Sequence, residues 1–313
     1  MKTTCLITSY NYRKYIADAV DSALAQTAPL DEIIIVDDGS TDGSQEFIRG
    51  RYDHPKIKLI TKDNGGQLSC FNEGFHLATG DVIFFLDADD VYERNYVEEA
   101  LRIYSCSPDC DFLFTGHRTF HTATGQVLDL DKAPTVSKDA LDMGLSVILS
   151  LYKRTCVGAP TSCISMRREL LKHVLPIPYL NDWRICADDC LNFGSSIMRG
   201  RKFFLDEPLI RYRIHDSNNF TGKTIDVCSD YQRSLRTNRL LRFFQMRAGY
   251  DLVQLPQFAA QEFRTIEKPT SSLLRHYLEL TLAARMPIAR KTRVLSKLLH
   301  YYLAARLRRS DRR

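Results

Sequence analysis

The chain has 313 residues, of which 44% are apolar and 26% are charged, a composition typical of globular domains. It contains no apolar run of about eighteen residues, so no membrane-spanning helix is expected. The formal net charge of +5 is uneven, because residues 290–313 hold nine Lys or Arg and one acidic residue. This distribution predicts a basic C-terminal tail rather than a basic protein. No nucleic-acid partner is expected.

Nine cysteines are spread along the chain without the dense spacing of a small disulfide-stabilised domain. In a chain of this length they indicate reduced thiols and therefore a cytoplasmic location. The N-terminal residues lead directly into fold-like sequence and lack the apolar stretch of a signal peptide, so a secretory leader is not expected.

The first part of the chain alternates between strand-like and helix-like segments. The short apolar runs TTCLIT, EIIIV, IKLI and DVIFFL predict four strands. Between them, apolar residues recur at helical spacing from Tyr15 to Leu24, and two further helices are predicted after STDG and after NGG. Alternation with short connections predicts a largely parallel sheet with helices on both faces.

Polar clusters follow each of these four strands. The segments TSYN, DDGSTD, KDNGG and DADD come directly after strands one to four. Because ligands of parallel α/β sheets bind at the carboxyl ends of the strands, all four clusters are expected to line one crevice.

The fourth strand ends in a concentration of negative charge, since Asp87, Asp89 and Asp90 follow it directly. Carboxylates this close repel one another, and burying them without a cation is costly. No dinucleotide fingerprint is present, and TGKT at 221–224 lacks the P-loop glycine because Ser217 stands in its place. The pattern favours Mg²⁺ or Mn²⁺ bound together with a nucleotide diphosphate.

Four segments in this order resemble the inverting nucleotide-sugar glycosyltransferases of family two, which have the GT-A fold: TSYNYRKYIADAVDSALAQT, IIIVDDGSTDGS, NGGQLSCFNEGFHLATGDVIFFLDADD and ADDCLNFGSSIMRGRKFFLDEPLIRYRIHDSN. The resemblance covers roughly residues 3–219. It implies an α/β GT-A domain over 1–220, with a nucleotide-binding half at 1–110 and an acceptor half at 111–220. A helical, basic segment is expected at 221–313.

The resemblance also implies roles for individual residues of the donor site. Asp87 would face the donor ribose, and Asp89 would bind the metal. Asp38 would hydrogen-bond the nucleotide base. Thr8 and Tyr10 would line the same base pocket.

The acceptor half is expected to supply the chemistry. Relatives carry an acidic pair about eleven residues before a Gly, which corresponds here to Asp188 and Asp189 before Gly200. The resemblance makes Asp189 the base that takes a proton from the acceptor hydroxyl. His215 would bind the metal or the diphosphate. Phe71 stands where relatives commonly have Arg, so one cationic contact to the nucleotide is missing.

The implied function is metal-dependent transfer of a sugar, with inversion, from a nucleotide sugar to a hydroxyl of a glycan or lipid-linked acceptor. A UDP-sugar is the favoured donor, and an oligomer is compatible with the sequence. Two alternatives stay open. A sugar-1-phosphate nucleotidyltransferase would share the sheet and the metal, and an inactive nucleotide-binding scaffold would share the fold alone.

Two features have competing interpretations. Trp183, just before the acidic pair, could pack against an acceptor sugar or fill the core. In the tail, one helix face carries Leu295, Leu298, Leu299 and Tyr302, and Arg293, Lys297 and Arg308 lie roughly opposite. Such a helix could lie on the anionic inner face of a membrane, or its apolar stripe could pack on the rest of the protein.

Overall fold

The computed structural model describes residues 1–121, 139–215 and 226–310. Ser217, the TGKT segment at 221–224 and the side chain of Arg308 lie outside the described residues. The predicted α/β fold with a central sheet is confirmed, and the last part of the chain is helical, as expected.

The first half alternates between strands and helices. Its elements are β1 (Thr3–Ser9), α1 (Ile16–Leu24), β2 (Glu32–Asp37), α2 (Ser44–Arg51), β3 (Ile57–Thr61), α3 (Gln67–Leu77), β4 (Val82–Asp87), β5 (Val91–Tyr92) and α4 (Tyr96–Cys106). Strands β1 to β4 are parallel, and their hydrogen-bonded order in the sheet is β3-β2-β1-β4.

The elements of the second half are β6 (Phe112–His121), β7 (Leu141–Gly144), α5 (Val147–Lys153), β8 (Ile164–Arg167), α6 (Arg168–Val174), α7 (Asp188–Ile197) and β9 (Lys202–Ile214). This half extends the sheet past β4 through β8, β6 and β9. Strand β8 runs antiparallel to both β4 and β6, so the sheet is mixed beyond β4.

In the described part of the C-terminal segment, four α-helices follow: α8 (Val227–Ala248), α9 (Ala259–Arg264), α10 (Ser271–Ala283) and α11 (Ile288–Ser310). Helix α8 begins with an N-cap, because Asp226 accepts hydrogen bonds from the backbone N–H groups of Cys228 and Ser229. It ends at Gly249, whose φ of 71° is the left-handed conformation that glycine adopts without strain.

Apolar clusters cover both faces of the sheet, because successive side chains of a strand point to opposite sides. Leu6 and Ile34 contribute to one cluster, and Ile7 and Ile35 contribute to the other. A third cluster joins α5 to helices α9, α10 and α11. Helix α8 instead packs its buried face into the sheet core, through Leu240, Leu241 and Phe244. The domain boundary near residue 220 stays a prediction.

Helix α11 buries two residues of the predicted stripe, Leu298 and Tyr302. Val294, Leu298 and Tyr302 pack into the third cluster, whereas Leu299 is exposed. Within the described ranges, none of the helices combines the length and the apolar character needed to cross a bilayer. The nine cysteines, all of them described, form no disulfide.

Candidate active site

The carboxyl ends of the central strands open into a cavity of about 820 Å³. This volume lies in the range of ligand-binding clefts. Every predicted site residue except His215 lines it: Thr8, Tyr10, Asp38, Asp87, Asp89, Asp188 and Asp189. The prediction that the polar strand ends share one crevice therefore describes the molecule correctly.

Asp38, directly after β2, lines this cavity and is 3% exposed. Its two carboxylate oxygens accept the backbone N–H groups of Gly65 and Gly66 at 2.8 and 2.7 Å, and the Nζ of Lys62 donates to Oδ1 at 2.7 Å. Asp38 thus fixes the NGG turn. Thr8 and Tyr10 also line the cavity; Thr8 is buried, and Tyr10 is 46% exposed.

The NGG turn requires its second glycine. Gly66 has a φ of 86°, and a Cβ at this position would lie 2.4 Å from the Cα of Arg184. Arg184 also donates a hydrogen bond to Asn64, and both side chains line the cavity. Arg184 is therefore a cation beside the predicted base pocket that the sequence alone does not identify.

Asp87, at the end of β4, receives two hydrogen bonds on Oδ1. Thr8 donates at 3.2 Å and Gln67 at 2.8 Å. Burial, reinforced by the charges of Asp89 and Asp188, raises the pKa of Asp87 to about 7. Burial and the neighbouring carboxylates thus disfavour full ionisation of this cluster.

Asp89 lies beside His215, since His215 Nε2 and Asp89 Oδ2 are 3.0 Å apart. The backbone N–H of Arg213 donates to Asp90 at 2.9 Å, and its side chain donates to the Asp89 carbonyl at 2.7 Å. Arg213 thereby fixes the DADD loop against β9. Burial and the charges of Asp89 and Asp87 raise the pKa of Asp90 well above its usual value.

Asp89 and His215 are the pair that could bind a divalent cation. Among the residues that the structure describes, no three His, Cys, Asp or Glu side chains are arranged to hold a metal ion by themselves. A cation here would therefore complete its shell with other oxygen ligands, as Mg²⁺ and Mn²⁺ do with substrate phosphates.

The acidic pair Asp188 and Asp189 begins helix α7, where the helix dipole stabilises negative charge. Burial, together with the charge of Asp189, raises the pKa of Asp188 to about 7, so that it is partly protonated near neutral pH. Asp189 Oδ2 lies 3.4 Å from Nη2 of Arg233, and its Oδ1 lies 3.9 Å from Sγ of Cys156.

Gln67 connects the two halves of the site. Its Nε2 donates to Asp87, and its Oε1 accepts the backbone N–H of Ala187 at 2.9 Å. Ala187 immediately precedes the acidic pair. One side chain thus fixes the spacing between the end of β4 and the start of α7.

With this geometry, the family can be assigned. The model of the family described as glycosyl transferase family 2 matches residues 4–175, more than half of the chain. The chain belongs to glycosyl transferase family 2. It is therefore a glycosyltransferase, and the predicted resemblance is confirmed.

Related sequences agree with this assignment. An uncharacterized glycosyltransferase of Nostoc sp. is 36% identical over 256 residues, which cover 80% of this chain and 77% of the relative. Chondroitin synthase of Pasteurella multocida is 33% identical over 136 residues, which cover 43% of this chain and 14% of that much longer protein.

Solved structures share the fold. Residues 1–349 of S. aureus TarS, in complex with UDP-GlcNAc, superimpose with a TM-score of 0.56 at 16% identity, covering 97% of this chain and 90% of that one. The mannosyltransferase PcManGT of Pyrobaculum calidifontis, in complex with GDP-Man and Mn²⁺, gives 0.52 at 17% identity, covering 98% and 75%. The GT-A fold predicted for this family two member is therefore confirmed.

Two sequence interpretations can now be decided. Trp183 is fully buried in the sheet core, so it does not reach an acceptor sugar. Phe71 is also fully buried, packed edge-to-face on Phe85 with ring centroids 5.2 Å apart. An Arg at position 71 would therefore be buried in an apolar core. Positive charge beside the NGG turn comes instead from Arg184 and Lys62.

Proposed function

We propose that this glycosyltransferase transfers a sugar, with inversion, from a nucleotide sugar to an acceptor hydroxyl, and that it requires a divalent cation. The observation that carries the proposal is the cavity itself. Carboxylates at the end of β4 and the acidic pair at the start of α7 line the same space, joined through Gln67. Nucleotide binding and proton abstraction can therefore occur on one substrate complex.

The donor is held at the strand ends in this proposal. Asp38, Thr8 and Tyr10 form the base pocket, and Asp87 binds the ribose. A UDP-sugar is favoured, since UDP-GlcNAc is bound in the TarS structure. The GDP-Man complex of the mannosyltransferase makes a GDP-sugar the second choice.

The acidic residues fit Mn²⁺ or Mg²⁺. Burial raises the pKa values of Asp87 and Asp90, and the nearby charge of Asp89 raises both further. A cation beside Asp89 and His215 would relieve the repulsion among these carboxylates. When bound, such a cation stabilises the charge that develops on the diphosphate as the sugar leaves. The PcManGT structure contains Mn²⁺, which supports the choice of metal.

Asp189 is the base in this mechanism. It accepts the proton of the acceptor hydroxyl while that oxygen attacks the anomeric carbon on the face opposite the diphosphate. A single displacement of this kind inverts the anomeric configuration and needs no covalent intermediate. Asp188 is limited as a base below neutral pH, because its pKa is raised to about 7.

A panel of nucleotide sugars with Mn²⁺ tests the proposal against its two alternatives. We expect release of nucleoside diphosphate from at least one sugar donor, with EDTA abolishing the release. Pyrophosphate release from a nucleoside triphosphate and a sugar 1-phosphate would support a nucleotidyltransferase instead. Tight nucleotide binding without any turnover would support a scaffold.

For the acceptor, we propose a glycan or a lipid-linked glycan met at the cytoplasmic face of a membrane. Helix α11 supports this choice, because Ile288, Leu299 and Leu303 form an outward stripe that is 81, 46 and 58% exposed. The surrounding tail is strongly basic, which complements anionic lipid headgroups. The stripe is distinct from Leu298 and Tyr302, which pack inward.

Sedimentation with vesicles that contain phosphatidylserine tests this contact. We expect the full chain to bind at low salt and to be released at high salt. The double variant Leu299→Glu and Leu303→Glu leaves the packed face intact and should stay in the supernatant. Equal sedimentation of both proteins would contradict a membrane contact through α11.

A further inference from the structure

Helix α8 directs three arginines, spaced three residues apart, toward the segment that carries the acidic pair. Arg239 donates to the Asp182 carboxylate at 2.8 Å, and Arg236 donates to the Asp182 carbonyl at 3.0 Å. The guanidinium of Arg236 also lies 4.6 Å from the centre of the Trp183 ring. Helix α8 therefore holds the chain immediately before α7.

The third arginine of this row, Arg233, reaches the cavity itself. Its Nη2 lies 3.4 Å from Asp189 Oδ2. The Arg233 side chain is 37% exposed, and the residue lines the cavity. A helix from the segment after residue 220 thus contributes a cation to the site.

We propose that Arg233 is a positioning residue for Asp189, so that helix α8 completes the acceptor side of the active site. The inference rests on the proposed role of Asp189 as the base. A guanidinium in this place orients the carboxylate through a charge-assisted hydrogen bond.

The surroundings of Asp189 make such a cation important. The titratable groups that face it are Asp188 and Cys190 on its own helix, Cys186 just before the helix, and Cys156 on the loop after α5. Each of these groups is neutral or negative. Lys202 and Arg236 act on the neighbouring cysteines, whereas Arg233 contacts the Asp189 carboxylate itself. Burial and the charge of Asp189 raise the pKa of Asp188, and the charge of Arg233 lowers it by a smaller amount.

A purely structural ion pair would behave differently. Partly exposed pairs of this kind contribute little to stability, so a structural role predicts a small change in melting temperature and no change in the pH dependence of turnover. A positioning role predicts a change in kcat and in its pH profile, with donor binding preserved.

The test compares the full-length variants Arg233→Met and Arg233→Lys with Arg242→Met, a control at an exposed position of the same helix. The assay is hydrolysis of the nucleotide sugar that the panel identifies, with water as the acceptor, and calorimetry measures UDP binding with Mn²⁺. For Arg233→Met we expect kcat to fall about tenfold and its pH profile to change, with donor KM and UDP affinity within about twofold of wild type. Arg233→Lys should recover part of the loss, because it keeps the charge without the planar fork.

Two results would overturn the inference. If Arg233→Met and Arg233→Lys match Arg242→Met in both kcat and pH profile, the contact is structural, while turnover by the wild type still supports the proposed function. If the wild type releases no nucleoside diphosphate from any donor, the proposed function fails, and the positioning role fails with it.

Discussion

The donor and acceptor halves of this site are built in different ways. In the donor half, the side chains lie directly at strand ends and are fixed by neighbouring strand ends, as Asp38 is by the NGG turn and Asp87 by Thr8. In the acceptor half, Asp189 is contacted from α8 and from the loop after α5. The sheet topology alone therefore brings the donor residues together, whereas the proposed base depends on packing of the C-terminal helices.

The substitution Asp189→Asn should have the largest effect, because it removes the proposed base and little else. General base catalysis contributes factors of about 100 to 10,000, so we expect turnover to fall about 1,000-fold. UDP binding with Mn²⁺, measured by calorimetry, should not change. The exposed Asp53→Asn is the matched control. Wild-type turnover in Asp189→Asn would mean that another group accepts the proton.

Glu262→Gln tests the buried carboxyl group that joins helix α9 to the start of α5 and to α10. Glu262 on α9 accepts the hydroxyl of Tyr277 at 2.6 Å and the backbone N–H of Ile148 at the start of α5. Burial raises its pKa to about 7, so the folded chain holds a proton that the unfolded chain releases above pH 4.5. The free energy of unfolding should therefore fall by about 3 kcal/mol from this group as pH rises from 4.5 to above 7.

The variant should lack this contribution, because Gln does not titrate. Chemical denaturation from pH 4.5 to 8 gives the free energy of unfolding of both proteins. The contributions of the other titrating groups are the same in both and cancel when the two curves are subtracted. If the two curves of unfolding free energy against pH run parallel, Glu262 is already ionised in the folded protein and its pKa is not raised.

Asp89→Ala tests the donor half. We expect the affinity for UDP in the presence of Mn²⁺ to fall about 100-fold, because a buried carboxylate beside His215 is lost. The affinity measured in EDTA should change little, since Asp38 and Tyr10 are untouched. Equal losses with and without metal would assign Asp89 a structural role and not a metal-binding one.

The sequence predicts much of the donor half, because strand periodicity and polar strand ends are local patterns. Asp38, Asp87 and Asp89 follow buried strands and meet in one cavity as expected. Gln67, Arg184 and Arg233 could not be identified in this way. Each acts through a partner far along the chain, and Gln67 and Ala187, for example, are 120 residues apart.

Helical spacing was a weaker guide in the tail. The predicted face combined Leu298 and Tyr302, which pack inward, with Leu299, which is exposed. A wide apolar stripe on a helix can be shared between two environments, and periodicity alone does not separate them. Trp183 illustrates the same limit, because its proximity to the acidic pair along the chain did not reveal its burial.

The central claim is a direct displacement, with the leaving diphosphate at the strand ends and the base at the start of α7. The anomeric configuration of the first product tests this most directly. Proton NMR of the sugar released by hydrolysis of an α-linked nucleotide sugar, recorded before mutarotation, should show the β-anomer. Release of the α-anomer would contradict a single displacement assisted by Asp189.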